Sequence, residues 1–329
     1  MDKRNQREPY IGVPASQSAY VPEEMPRVTT IDTTPITLPP GADELAPPLT
    51  YKQMAWRRFR RHRMAMFGAI MLLLLFLYAF GGGLIYTAER ANYTDTSKRL
   101  SPPSLEHPFG TDTVGRDVLA RTVQGGRISL TIGLTAALLE IIIGVLIGAA
   151  AGYHGGAVDN LLMRFTEAML IIPSLFLLIV MARIVGGSVP LIIIIIGLTS
   201  WMYVARIVRA EFLSLKESDY ILAARSIGTP TREIIFRHIL PNSMAPIVVA
   251  ATLAVATAIL SEAYISFLGM GVQPPTATWG NMLDGSYNYI ETAPWLWIFP
   301  GLLILLTVLS INFVGDGLRD ALDPRSRNA

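Results

Sequence analysis

The strongest constraint on this chain is a set of apolar runs, each long enough to cross a bilayer. They fall at about 64–87, 128–153, 161–184, 189–208, 244–270 and 294–314. A helix needs about 20 apolar residues to traverse roughly 30 Å of hydrocarbon. Inside hydrocarbon each backbone N–H and C=O must be paired within its own segment, which leaves helices as the natural solution for runs of this length. The pattern therefore predicts an all-α membrane protein with six transmembrane helices. Composition agrees, since 51% of the 329 residues are hydrophobic and only 16% are charged, outside the range of soluble domains.

Charge then assigns sidedness. The stretch YKQMAWRRFRRHR (51–63) sets Arg57, Arg58, Arg60, Arg61 and Arg63 at the mouth of the first run, which predicts a cytoplasmic entry and, with six spans, two cytoplasmic termini. The segment between the fourth and fifth runs carries Arg206, Arg209, Lys216, Arg225, Arg232 and Arg237, and the end of the chain carries Arg319, Arg325 and Arg327. The loop 271–293 has no Lys or Arg. One segment opposes the assignment: the connection after the first span holds Arg90, Lys98, Arg99, Arg116, Arg121 and Arg127, beside Glu89, Glu106, Asp112 and Asp117. The remaining loops outvote it.

Three regions follow. Residues 1–50, rich in Pro, Thr and acidic residues, read as a disordered tail. Residues 51–125 hold the basic pre-helix, the first span and an external segment, and 126–329 hold five further spans, with a polar insert at 210–243.

Several functions are excluded. There is no cysteine, and His62, His107, His154 and His238 are scattered, so no metal site is expected. None of the lysines Lys3, Lys52, Lys98 and Lys216 follows a phosphate-binding glycine loop, and no hydrolase elbow or zinc-protease pair occurs. The chain reads as non-catalytic. A net charge of +2 gives no footprint for nucleic acid.

The insert DYILAARSIGTPTREIIFRHILPN (219–242) is unusually ordered for a membrane-protein loop. Ser218 is placed to cap a helix from Asp219, in which Tyr220, Ala223, Ala224 and Ile227 share a face with both alanines outward. Gly228 supplies a left-handed stop. Thr229 and Pro230 suit the cap and first position of a second helix, expected to end before Pro241.

At these residues the chain resembles the permease subunits of ATP-binding cassette (ABC) importers. Their cytoplasmic signature runs Glu-Ala-Ala, three residues, Gly, nine residues, Ile, one residue, Leu-Pro. Here Leu222, Ala223 and Ala224 stand for the first three, Gly228 for the glycine, and Leu240 and Pro241 for the ending. Leu222 replaces the glutamate, and His238 occupies the isoleucine position. HPFGTDTVGRDVLAR (107–121), GRISL (126–130) and SFLGMGVQPPTATWGNM (266–282) are similar to segments of dipeptide and oligopeptide importer permeases of the C type.

The resemblance implies the type I importer permease fold and a coupling helix built from Asp219, Tyr220, Leu222, Ala223, Ala224, Arg225 and Ile227. The implied partners are a B-type permease, two cytoplasmic ATP-binding subunits that hold ATP and Mg, an external substrate-binding protein and the lipid of a prokaryotic cell membrane. Dipeptides or oligopeptides rank first as substrate. Nickel complexes, glutathione and antimicrobial peptides are carried by relatives of the same type.

Ionisable groups within the spans are candidates for function, because charge in hydrocarbon is costly. Glu140 and Glu262 stand as possible pathway residues or partner contacts. Arg164 and Glu167 read as a mutually neutralising pair. Gln273 and Trp279 are expected on a stiff external loop facing the pathway mouth or the binding protein, and Trp295 and Trp297 in an interfacial belt. The rival reading is an ATP-independent secondary transporter, for which interrupted spans and an internal repeat would be the sign. Neither is visible in the sequence.

Overall fold

The computed structural model describes residues 50–322, so the expected tail, apart from Thr50, and Arg325 and Arg327 lie outside the described residues. Among those described there are helices and one isolated bridge, Thr111 to Asp117, with no strand.

The basic stretch forms helix α1 (Tyr51–Arg61). Thr50 and Gln53 cap it reciprocally: Gln53 N–H donates to Thr50 Oγ1 (3.4 Å) and Thr50 N–H to Gln53 Oε1 (2.9 Å). His62 breaks the helix and starts the next, accepting the Ala65 N–H at Nδ1 (3.1 Å). The first span is α2 (Arg63–Phe76), continued by a π turn Leu77–Gly81 and a 3-10 turn Gly82–Leu84. It packs on the last helix, α14 (Trp295–Leu322). At Gly68 a β-carbon would lie 2.6 Å from the Ser310 carbonyl oxygen, so only glycine permits that approach.

A short helix α3 (Ala88–Asn92) and an irregular segment lead to α4 (Val118–His154), capped by Asp117 Oδ1, which accepts the Ala120 N–H at 2.9 Å. Its 37 residues extend about 55 Å, well beyond the hydrocarbon. It therefore starts ten residues ahead of the expected run at 128. One edge of α4 carries Gly144, Gly148 and Gly152, where added β-carbons would fall within 2.4–2.6 Å of Val204, Ala205 and Phe212.

Two expected spans need correction. The run 161–184 is a pair, α5 (Gly156–Ile171) and α6 (Ser174–Val185), bent by 85°. Pro173 caps the second member, since its ring cannot continue a helix from the preceding turn. The run 189–208 is also a pair, α7 (Val189–Ser200) and α8 (Met202–Leu215), bent by 45° at Trp201. Four helices cross by their own length, and six spans result when each bent pair counts as one. Interrupted spans, absent to the eye in the sequence, are thus present.

After α8 come α9 (Asp219–Ser226), α10 (Thr231–Glu233), a π-helical stretch Ile234–Ile239, and α11 (Leu240–Asn242). The fifth span, α12 (Met244–Phe267), a loop with α13 (Trp279–Leu283), and α14 complete the chain.

The segment between α2 and α4 explains its own excess of basic residues. Arg116 Nε lies 2.6 Å and Arg121 Nε 3.8 Å from Asp112 Oδ2, Lys98 pairs with Glu106, and Arg90 stacks on Tyr86. Phe109 on Phe299, with ring centroids 3.8 Å apart, anchors the segment to α14.

Candidate functional site

The insert is a wedge with one greasy side turned inward. Ile221 of α9, Ile234 and Ile239 of the π stretch and Ile247 of α12 are buried against Val204, Val208 and Phe212 of α8. This joins the insert to two spans as one packed unit. At the end of α9, Gly228 takes φ +81°, its N–H donates to Arg225 O (2.9 Å), and Thr229 N–H donates to Ala224 O (3.1 Å). These two bonds form a Schellman turn, the expected left-handed stop. Arg225 lies over the Tyr153 ring at 5.6 Å, tying α9 to the end of α4.

The face of α9 differs from the expected one. Tyr220 and Leu222 are each 43% exposed and Ile227 is 84% exposed; Asp219, Ala223 and Arg225 also face outward. Ala224 is only 8% exposed and, like Ile221, is turned inward. The expectation that both alanines face outward is therefore corrected to Ala223 alone. Four positions at helical spacing define a stripe, but the packing of Ile221 decides which edge of it is covered.

Three local details also shift. Ser218 holds the capping position of α9 without a side-chain cap; its hydroxyl donates to Leu215 O instead (2.5 Å). Pro230, not Thr229, caps the second helix. That helix does not stop before Pro241: Leu240 is half-buried, Pro241 exposed, and helical turns continue to Asn242. Pro241 sits at the start of α11, after the wider π turns, where its missing N–H breaks no regular bond.

A second constellation lies between α4, α12 and the loop that carries α13. Glu262 is fully buried, and its carboxylate accepts hydrogen bonds from Ser129 Oγ (3.0 Å) and Ser266 Oγ (2.7 Å). Ser129 Oγ in turn accepts the Trp279 N–H (3.1 Å), and Ser266 Oγ the Val272 N–H (3.3 Å). Trp279 Nε1–H donates to Thr122 O (2.8 Å), and the indole fits because Gly126 has no side chain: a β-carbon there would lie 2.7 Å from the ring. Glu262 and Trp279, expected as pathway candidates, are instead enclosed within the chain and fasten the loop to two spans.

Gln273 does remain exposed. Its backbone N–H donates to Gly187 O (3.3 Å) and its amide to Gly271 O (2.9 Å), linking the α6–α7 turn to the loop that carries α13. Glu140 is 4% exposed, with Oε2 lacking any hydrogen-bond partner among the described residues. It is thus enclosed rather than lining an open path. Arg164 and Glu167 pair at 3.1 Å on the surface, as their spacing suggests.

Sequence reasoning missed a clamp between Asp159 of α5 and Arg209 of α8. Arg209 Nε and NH2 donate to Asp159 Oδ1 (2.5 Å) and Oδ2 (2.6 Å). The two residues are 50 positions apart, and no local pattern joins them. Each lies just outside an apolar run, Asp159 before 161 and Arg209 after 208, so neither stood out as an intramembrane charge.

Residues 144–328 match the family described as binding-protein-dependent transport system inner membrane component, and residues 50–103 match the N-terminal TM domain of oligopeptide transport permease C. The dipeptide transport system permease protein DppC of Bacillus subtilis is 42% identical over 282 residues, covering 85% of this chain and 88% of the relative. The oligopeptide transport system permease protein OppC of the same organism is 41% identical, covering 83% and 89%. A putative peptide permease of Brucella suis is 44% identical, covering 82% and 89%. Among solved structures, an inward-facing form of the MetNI methionine ABC transporter aligns with TM-score 0.51 at 20% identity, over 61% of this chain and 95% of that one. That likeness carries the type I permease fold. With two matched segments and relatives aligned over most of its length, the chain belongs to the family of binding-protein-dependent transport system inner membrane components.

Proposed function

We propose that this chain is a permease subunit of an ATP-driven importer of dipeptides or oligopeptides, and that the insert receives the motion of partner ATPases. The observation that carries this reading is the geometry of α9. It presents Tyr220, Leu222 and Ala223 outward on a helix of eight residues, with Ile227 exposed at its end, while Ile221 packs it against α8 and α12. An exposed apolar face this compact suits a groove in a partner. A rigid base transmits displacement, because packed cores move as units.

In this reading ATP and Mg are held by two cytoplasmic subunits, a B-type permease completes the path, and an external binding protein delivers the substrate. Both termini and the insert are cytoplasmic, and this chain performs no catalysis. Asp219 and Arg225 flank the apolar face and set its orientation, while Gly228, Leu240 and Pro241 hold the return helix. Leu222, where the importer signature has glutamate, makes an apolar contact in place of a charged one. The peptide substrate follows from the relatives, whose names specify dipeptide and oligopeptide transport.

The test is recovery of the ATPases with the detergent-solubilised complex. Ala223→Glu places a charge on the outward face and is expected to lose the ATPases while retaining the partner permease. Undiminished recovery would remove the docking role from α9.

A further inference from the structure

Helix α1 carries a feature that transport does not use. Met54, Arg57, Arg58 and Arg61, spaced i, i+3, i+4 and i+7, line a notch of about 280 Å³ along one side of the helix. On the other side Phe59 is buried against α14, where a β-carbon at Gly317 would lie 3.3 Å from its ring. Trp56 stacks on Phe59 with centroids 6.0 Å apart yet stays 60% exposed.

The helix is fixed in place at its junction with the span. His62 caps α2 and its Nε2 lies 3.5 Å from Asp320 Oδ2 of α14. The arginines therefore sit at the level where α2 leaves the hydrocarbon. From position 51 to 88 the sequence has no acidic residue. Among the described residues no carboxylate pairs with Arg57, Arg60, Arg61 or Arg63. Four guanidinium groups at headgroup depth, beside an outward indole, match the charge and amphipathicity of an anionic lipid surface.

We propose that the α1 notch binds the phosphate headgroups of anionic phospholipids, with Arg57 and Arg61 as the principal contacts and Trp56 in the interfacial zone beside them. Guanidinium forks suit phosphate oxygens, and the last turn of a helix favours the positive charge of Arg58, Arg60 and Arg61 when no lipid is bound. A bound lipid would brace the joint at His62, and through it the packing of α2 on α14. The inference goes beyond peptide import and needs only that α2 crosses the bilayer.

The experiment is native mass spectrometry of the complete transporter complex purified with phosphatidylglycerol or phosphatidylcholine, comparing wild type, Arg57→Gln/Arg61→Gln and Arg57→Lys/Arg61→Lys. Each arginine near a charged surface contributes about fivefold in affinity, so the glutamine pair should retain phosphatidylglycerol about 25-fold less tightly. The lysine pair should stay within about threefold of wild type, because surface attraction depends on charge. Unaltered unfolding temperature in both variants shows that the fold is intact.

Four results would overturn the proposal. Equal phosphatidylglycerol retention in the glutamine pair would remove the site. Equal loss of phosphatidylcholine would make the effect general to lipid. Displacement of phosphatidylglycerol by inorganic phosphate would reduce the notch to an anion site, and loss of ATPase subunits with lipid retained would make it a protein contact. Peptide uptake is scored separately, so failure of the importer reading leaves the lipid result interpretable.

Discussion

Glu262 shows how one side chain can fix a loop to a membrane core. Its carboxylate accepts from Ser129 and Ser266, whose hydroxyls also accept the backbone N–H groups of Trp279 and Val272. Glu262→Ala would leave both hydroxyl protons without their carboxylate acceptor in a dry site, at a cost of about 3 kcal/mol, read as a lower unfolding temperature in detergent. Ala223 and Ala224 make the complementary case. Ala224→Glu forces a charge into a buried position and should lower expression or stability, whereas Ala223→Glu should leave the fold intact and remove ATPase recovery. Thermal unfolding and pull-down on the same preparations separate the two. Nothing in the sequence distinguishes these neighbours, because an eight-residue helix gives too few periods to define its buried edge. Glu262 was visible as an intramembrane acid, but its hydroxyl partners lie 133 residues upstream and four downstream.

At the scale of elements, the turn after α9 was legible because a single residue carries it. Gly228 sits at φ +81° with open space around a would-be β-carbon, so substitution there is penalised by the backbone alone. Gly228→Ala should cost about 1–2 kcal/mol. Gly228→Pro, which demands φ near −65°, should disrupt the turn, leaving membrane insertion intact while ATP-driven uptake falls to background.

The segment between α2 and α4 carries an exposed ion pair of Lys98 with Glu106. Hydrogen bonding to Lys98 lowers the Glu106 carboxyl below its ordinary value of 4.5, and the same bond raises Lys98 above 10.5. A depressed acid stabilises the fold above its unfolded pKa and loses that contribution as pH falls through the folded one; a raised base does the reverse. The link is thus fully present between these two values and weakens on acidification below 4.5. Limited proteolysis of the segment should accelerate there in wild type, and Glu106→Gln should show the faster cleavage already at neutral pH.

At the scale of the molecule, two spans are bent while the others run long and continuous. The insert joins α8 and α12, and α8 is held to α5 by the bidentate Asp159–Arg209 clamp. On the proposed function, motion delivered at α9 would pass to α8 and α12 together, and through the clamp from α8 to α5. Reconstituted alone, this chain should hydrolyse no ATP and support no peptide uptake. Both should appear when a partner permease, two ATPases and a binding protein are added, as measured in proteoliposomes by phosphate release and substrate accumulation.

The sequence by itself determined the class of protein, the number of apolar crossings, and the helix, glycine turn and return helix of the insert. Hydrocarbon length, charge placement and the left-handed requirement at Gly228 are each properties of contiguous residues. Tertiary structure alone decided that two crossings are bent, that Ala224 turns inward, and that Glu262 and Trp279 lock a loop instead of facing a path. It also paired Asp159 with Arg209. Each of these outcomes depends on groups distant in sequence meeting in a low-dielectric interior, where an unpaired charge or N–H is costly and the partner is supplied by another helix.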